Sequence, residues 1–207
     1  MFDFDDTLVE SEAIKDTIFQ KIFRRYPQSA EAAWEFHRQN ASLPRGAKFL
    51  WLASHAFPDD EPLQKSCVKE CLEQFQKKTR VLVGDAEEVS GVEEMLAGLF
   101  GKIPLYIASV NPQQELDFLI HRRGWQKWFS AWYGNPPFPK DQALKEIASR
   151  ENTATQQLLL IGDSPGDREA AEKAGSQVWL RNKGDGHGIW KDGLDLARQL
   201  SAVLSKR

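Results

Sequence analysis

Along the chain the spacing of apolar positions changes character twice, at about residue 10 and after about residue 83. Between about residues 10 and 80 they recur three and four apart, as in Ile14, Ile18 and Ile22, in Phe49, Leu50 and Ala53, and in Val68, Cys71, Leu72 and Phe75. That spacing predicts amphipathic helices, and Pro27, Pro44, Pro58 and Pro62 divide the stretch into several of them. After Val83 and Gly84, short apolar runs alternate with helical stretches. Helices are expected at 91–100, 113–123, 141–150 and 167–174, and strands at 105–108, 131–133, 158–161 and 177–180. Such alternation builds a parallel sheet covered by helices. Met1 and Phe2 then read as the remnant of one further strand.

The expected fold class is α/β: a Rossmann-like, doubly wound parallel-sheet core made of 1–10 and 83–207, with an all-helical cap, 11–82, inserted after the first strand. A chain of 207 residues with 41% apolar positions can bury a sizeable core, which excludes a disordered protein. Its 27 basic and 30 acidic residues leave a net charge of -3, so no broad positive field is available to attract nucleic acid or an anionic membrane. The start, MFDFDDTL, lacks the basic and apolar regions of a secretory leader, and no apolar run approaches the roughly 18 residues of a spanning helix. A cytoplasmic protein without nucleic-acid or membrane partners is expected, as a monomer or weak dimer. Cys67 and Cys71, four apart in a helical stretch, read as packing positions, because a metal site would need further ligands nearby. Trp125, Trp128 and Trp132 are spaced like packing residues, and His37, His55, His121 and His187 have no evident partners.

Candidate chemistry collects where the strands end. In open parallel sheets ligands bind at the carboxyl ends of strands. After Met1-Phe2 comes Asp3-Phe4-Asp5-Asp6-Thr7; after 105–108 comes Ser109-Val110-Asn111-Pro112; after 158–161 comes Gly162-Asp163-Ser164-Pro165-Gly166-Asp167. Four carboxylates, Asp3, Asp5, Asp163 and Asp167, would converge on one edge. At an effective dielectric of about 20, each close pair repels by about 4 kcal/mol at 4 Å. A cation must sit among them, and hard oxygen ligands fit Mg²⁺ best. Ser164, Pro165 and Asp167 also have the pattern of a helix start. Asn111 before Pro112 reads as the cap of the next helix, which leaves the Ser109 hydroxyl free to bind an anion. Lys140, at the start of a helix, opposes the helix dipole by a few tenths of a kcal/mol, a broken local rule that points to function.

Taken in order, these residues resemble the haloacid dehalogenase superfamily of aspartyl-nucleophile phosphotransferases, over nearly the whole chain. DFDDT looks like its first motif, Ser109 its second, Lys140 its third and GDSPGD its fourth, and the helical insert is similar to that of the phosphoglycolate-phosphatase-like branch. The resemblance implies that Asp3 is the nucleophile and Asp5 the general acid and base. It implies a Mg²⁺ site from Asp3, Asp5 through its carbonyl, and Asp163, with Asp167 supporting the metal shell or the lysine. Ser109, the Val110 amide and Lys140 would hold phosphoryl oxygens. Asp6 stands where glycine is frequent. Dehalogenases of the group lack the second aspartate of the first motif, so the presence of Asp5 makes a phosphate ester the better substrate class. The stretch from Ser42 to Phe49 looks like a cap segment whose basic residue faces the core site, which would let Arg45 hold a second anionic group; the alternative is that Arg45 and Lys48 form a solvated helix face.

The expected activity is Mg²⁺-dependent hydrolysis of a small phosphorylated metabolite through an aspartyl-phosphate. A phosphosugar mutase of the β-phosphoglucomutase type and a catalytically silent phospholigand-binding module are the alternatives. One departure stands out: relatives usually carry four or five apolar residues before the nucleophile, and here only Met1 and Phe2 precede Asp3. Either a shortened central strand is tolerated, or a Val/Ile/Leu-rich segment lies upstream in the reading frame.

Overall fold

The computed structural model describes residues 1–40, 43–182 and 189–205. The chain forms two compact units: Met1–Ser11 with Ala86–Arg207, and Glu12–Asp85.

The second unit is helical: α1 (Glu12–Phe23), α2 (Ala30–Gln39), α3 (Arg45–Ala56) and α4 (Glu61–Leu82). Its buried stripe keeps helical spacing, with Ile18, Phe19, Ile22 and Phe23 from α1, Phe49, Leu52 and Ala53 from α3, and Cys67, Cys71 and Phe75 from α4. Phe19 lies at the centre, its ring 5.3 Å from Phe49 and 4.5 Å from Phe75. α4 starts where Asp60 accepts a hydrogen bond from the Leu63 amide at 2.9 Å, with Pro62 in the first turn, where its missing N–H costs nothing. Cys67 and Cys71 are buried free thiols with their sulfurs 4.0 Å apart, so they are packing residues as their spacing implied.

His37 and Lys48 are both buried in this unit. His37 has a partner: it is buried, its Nε2 lies 2.9 Å from Asp16 Oδ1, and its ring stacks on Trp34. The partner comes from a different helix, a pairing that depends on how α1 and α2 register, while Nδ1 is buried without a hydrogen bond. Lys48 is no solvated residue, being 4% exposed with its ammonium 5.3 Å over the Phe19 ring. Burial pulls its pKa down to about 8, against the opposing pull of Asp16 and Glu12. The other histidines make contacts one turn back, His55 Nδ1 to the Trp51 carbonyl at 2.8 Å and His121 Nδ1 to the Asp117 carbonyl at 2.7 Å. His187 and Ser42 lie outside the described residues.

The first unit alternates as expected: α5 (Val92–Leu99), β1 (Tyr106–Ser109), α6 (Gln113–Arg122), β2 (Ala131–Gly134), α7 (Lys140–Arg150), β3 (Leu159–Gly162), α8 (Pro165–Ala174) and β4 (Gln177–Leu180), followed by α9 (Gly193–Leu204). β1 pairs with β2 and β3 with β4, both parallel. Phe2 joins the two pairs, bridging Ile107 on one side and Ile161 on the other, also parallel. Its amide donates to the Tyr106 carbonyl at 2.7 Å, its carbonyl accepts from the Ala108 amide at 2.9 Å, and the Asp3 amide donates to the Ile161 carbonyl at 2.8 Å. The order is therefore β2, β1, the Phe2 segment, β3, β4, with the shortest segment in the middle. Trp125 is core, 2% exposed, and its ring meets Phe4 edge-on at 6.1 Å. α9 has no counterpart in the sequence reading; Asp192 caps it by accepting from the Asp195 amide at 2.9 Å, and only Leu196 and Leu200 give it a buried stripe. Among the described residues no helix is long and apolar enough to cross a membrane.

Lys48 gives the helical unit a pH dependence. Its folded pKa lies below its ordinary value of 10.5, so between about pH 8 and pH 10.5 the unfolded chain binds more protons than the folded one and stability rises with pH. Denaturant unfolding of wild-type protein and Lys48→Met across pH 7 to 10.5 checks this: the variant is expected to be the more stable at pH 7, with the gap closing as the lysine neutralises.

Candidate active site

Parallel strands carry their carboxyl ends to one edge, and the direction of chain progression reverses about the Phe2 segment, which makes that edge the ligand-binding crevice of an open α/β sheet. Asp3 follows Phe2, Ser109 ends β1 and Asp163 follows β3. Lys140 arrives from the first turn of α7. Its Nζ lies 2.8 Å from Asp3 Oδ1 and 2.6 Å from Asp167 Oδ1. All three side chains are buried, Asp167 completely. Burial alone would push Lys140 down, yet the two carboxylates outweigh it and hold the ammonium above its ordinary pKa. Burial drives Asp3 well above the usual carboxylate range; Lys140 pulls it back, while Asp167, Asp163 and Asp5 push it up.

Asp167 is fixed before it meets the lysine. Its Oδ2 accepts from the Ser164 hydroxyl at 2.6 Å and the Ser164 amide at 3.1 Å, the reciprocal contact of a helix start, with Pro165 opening α8. Gly162 makes this possible, because a Cβ there would lie 2.3 Å from Asp167 Cγ. Both oxygens of Asp167 are thus engaged. It anchors the lysine, the second of the two roles open to it from the sequence.

Asp5 is held elsewhere. Its Oδ1 accepts from the Ser11 hydroxyl at 2.6 Å and its Oδ2 from the Asn111 side-chain amide at 3.0 Å. Two expectations are corrected here. Asn111 does not cap α6: Pro112 occupies the cap position and makes no side-chain bond, whereas Asn111 is buried and aimed at Asp5. The Ser109 hydroxyl is not without structural duty, since its buried oxygen accepts from the Asn111 amide at 3.1 Å. Ser11 and Asn111 are the site residues that sequence reasoning missed. The strand-end rule that selected Ser109 reaches Asn111 as well, but the capping rule claimed it first; Ser11 left no signal.

The turn after Asp3 supports this geometry. Leu8 and Val9 donate their amides to the Phe4 carbonyl at 3.0 and 3.1 Å, and the Asp6 amide donates to the Val9 carbonyl at 2.7 Å. Asp6 takes the left-handed conformation, φ +50°, which glycine adopts at no steric cost. Aspartate is among the few other residues that tolerate it, and its Oδ1 accepts from the Ser11 amide at 2.9 Å. The Val110 side chain is exposed. Arg45 belongs to the helical unit, where it opens α3 with its guanidinium 4.7 Å from the Phe75 ring centre.

A divalent cation fits the acidic group. Asp3, Asp163 and Asp167 each offer an oxygen within 4.8 Å of the others. Asp3 Oδ1 is buried without a hydrogen bond of good geometry, so its contact with Lys140 is ionic and its lone pairs are not fully used. Three carboxylates against one ammonium leave a negative excess, and an all-oxygen donor set suits Mg²⁺. The Asp5 carboxylate stands outside this group, which leaves only its backbone carbonyl as a candidate ligand.

Comparison with known proteins follows the same lines. A model of the haloacid dehalogenase-like hydrolase family matches residues 1–180. A phosphoglycolate phosphatase from Synechococcus elongatus is 32% identical over 87 residues, so the matched segment spans 41% of this chain and 41% of that relative's length. Among crystal structures, a β-phosphoglucomutase candidate from Thermotoga maritima superposes with a TM-score of 0.72 at 20% identity, covering 98% of this chain and 97% of the other. A haloacid dehalogenase hydrolase of family IA, variant 3, from Entamoeba histolytica gives a TM-score of 0.72 at 16% identity, covering 100% and 98%. These two establish the fold, and the family model runs across both units, through every strand of the sheet: the chain belongs to the haloacid dehalogenase-like hydrolase family.

Proposed function

We propose that this hydrolase is a Mg²⁺-dependent phosphomonoesterase that works on a small phosphorylated metabolite through an aspartyl-phosphate. The observation that supports it most is the buried Asp3 carboxylate, 2.8 Å from the Lys140 ammonium and within one acidic group with Asp163. A carboxylate so placed is desolvated, which raises its reactivity, and faces charge able to receive a phosphoryl group.

In this reading Asp3 attacks phosphorus in line, and the P–O bond to the leaving group breaks. Asp5 gives its proton to the departing alkoxide. A water then attacks the aspartyl-phosphate, Asp5 takes a proton from that water, and phosphate leaves with Asp3 restored. Lys140, the Ser109 hydroxyl and the Val110 amide hold the phosphoryl oxygens as negative charge spreads over them. Asp3, Asp163 and the Asp5 carbonyl would hold Mg²⁺, which when bound offsets the repulsion between the anionic nucleophile and the anionic ester. The helical unit would select the substrate, with Arg45 holding a second anionic group. A cytoplasmic location and a monomeric or weakly dimeric state belong to the same reading.

Four experiments test it. Asp3→Asn is expected to lower turnover of an aryl phosphate by roughly a thousandfold or more while leaving the unfolding midpoint near that of wild type; undiminished turnover would remove Asp3 from the reaction. Chelation is expected to stop phosphate release and added Mg²⁺ to restore it, and product analysis across phosphorylated metabolites is expected to find free phosphate, where an isomerised sugar phosphate would indicate a mutase instead. Gly162→Ala drives a methyl group into the Asp167 carboxylate; it is expected to cost about 1–3 kcal/mol of stability and to depress kcat, as the anchor of Lys140 moves.

A further inference from the structure

The turn that carries Asp5 is tied to the far edge of the sheet by one residue that no motif includes. Arg181 directly follows β4, and its amide donates to the Gly162 carbonyl at 2.8 Å, which fixes its backbone to the end of β3. Its side chain, 14% exposed, runs back to the first-strand turn. There Nη1 donates to the Asp6 carbonyl at 2.9 Å and to Glu10 Oε2 at 3.0 Å, Nη2 donates to Glu10 Oε1 at 2.6 Å, and Nε donates to the Lys191 carbonyl at 3.1 Å. The fully buried Trp190 lies beneath the guanidinium, 5.8 Å from ring centre to Cζ. The fork on Glu10 is bidentate, the geometry that makes an arginine–carboxylate pair both strong and directional.

The segment it grips sits between the nucleophile candidate and the chain's departure into the helical unit. Asp6 and Glu10 bracket the tight turn, and Ser11, next to Glu10, donates to Asp5. We propose that Arg181 is a positioning residue for the reaction: by holding the Asp6 carbonyl and both oxygens of Glu10, it fixes the turn from Phe4 to Ser11 and with it the carboxylate of Asp5. The proposal rests on the reading of Asp5 as the acid and base of a phosphomonoesterase. A carboxylate allowed to drift by about 1 Å from a reacting atom loses on the order of a hundredfold in rate without loss of substrate affinity.

Arg123 supplies the control. It grips the segment that runs beside the same turn, donating to the Ala86 carbonyl at 2.6 Å with Glu88 3.7 Å away, and Glu88 bridges Val9. Steady-state hydrolysis of an aryl phosphate at saturating Mg²⁺ is compared for wild type, Arg181→Met, Arg181→Lys and Arg123→Met, together with amide hydrogen exchange over residues 5–11. Arg181→Met is expected to lose about 10- to 100-fold in kcat with KM within about twofold. Arg181→Lys is expected to recover part of that, Arg123→Met to keep kcat within about twofold, and exchange over the turn to quicken in Arg181→Met alone. If Arg181→Met does not fold, Glu10→Gln carries the same expectation. A folded Arg181→Met with wild-type kcat, or an equal loss in Arg123→Met, overturns the proposal and leaves the phosphatase reading standing. A wild-type protein that hydrolyses no phosphate ester overturns both.

Discussion

The sheet edge of this protein is organised around a buried ion cluster in which one ammonium serves two carboxylates. Taking Asp3 and Asp167 out of water would be prohibitive without a counter-charge, and Lys140 supplies it at 2.8 and 2.6 Å. The lysine comes from a helix N-terminus, the end where a cation is least welcome, and that unfavourable placement is outweighed by the carboxylates it reaches. Further features follow from the same requirement. Gly162 lacks a side chain because the Asp167 carboxylate occupies the place, and Ser164 holds the remaining oxygen of Asp167 so that the other can meet the lysine. Asp3 keeps a buried oxygen short of hydrogen bonds.

The sheet makes this cluster possible by bringing distant segments to one line. Phe2 is the hinge of the topology: it pairs with Ile107 and Ile161 and sets Asp3 between the ends of β1 and β3. A central segment this short leans on its neighbours for rigidity, and the contacts that follow it compensate, from the Phe4 carbonyl that accepts two amides to the arginine fork on Glu10. The haloacid dehalogenase-like hydrolase family model takes in this segment and every strand paired around it, from residue 1 to residue 180.

Much of this was legible in the sequence because it depends on local pattern. The three-and-four spacing of α1, α3 and α4, the strand-helix alternation and the polar residues after each apolar run are properties of neighbouring positions. Lys140 was visible as a broken rule. What escaped depends on registers that no local pattern carries. Asn111 obeyed a capping rule in the sequence and yet its side-chain amide donates to the half-buried Asp5, more than a hundred residues away in the chain, a pairing that only the sheet topology creates. His37 and Lys48 are polar residues on faces that the packing of four helices happened to cover. α9 was missed although its buried leucines, Leu196 and Leu200, lie four apart on one face.

The paired thiols of the helical unit have a consequence of their own. Burial pushes the Cys71 thiol up to about 12, so at neutral pH almost none of it is in the reactive anionic form. Both sulfurs are buried on the face of α4 that joins the core of the helical unit. A thiol-directed dye therefore meets them only when that face opens, and the speed of its uptake is an inbuilt gauge of how often the four-helix unit comes apart while the rest of the molecule stays intact.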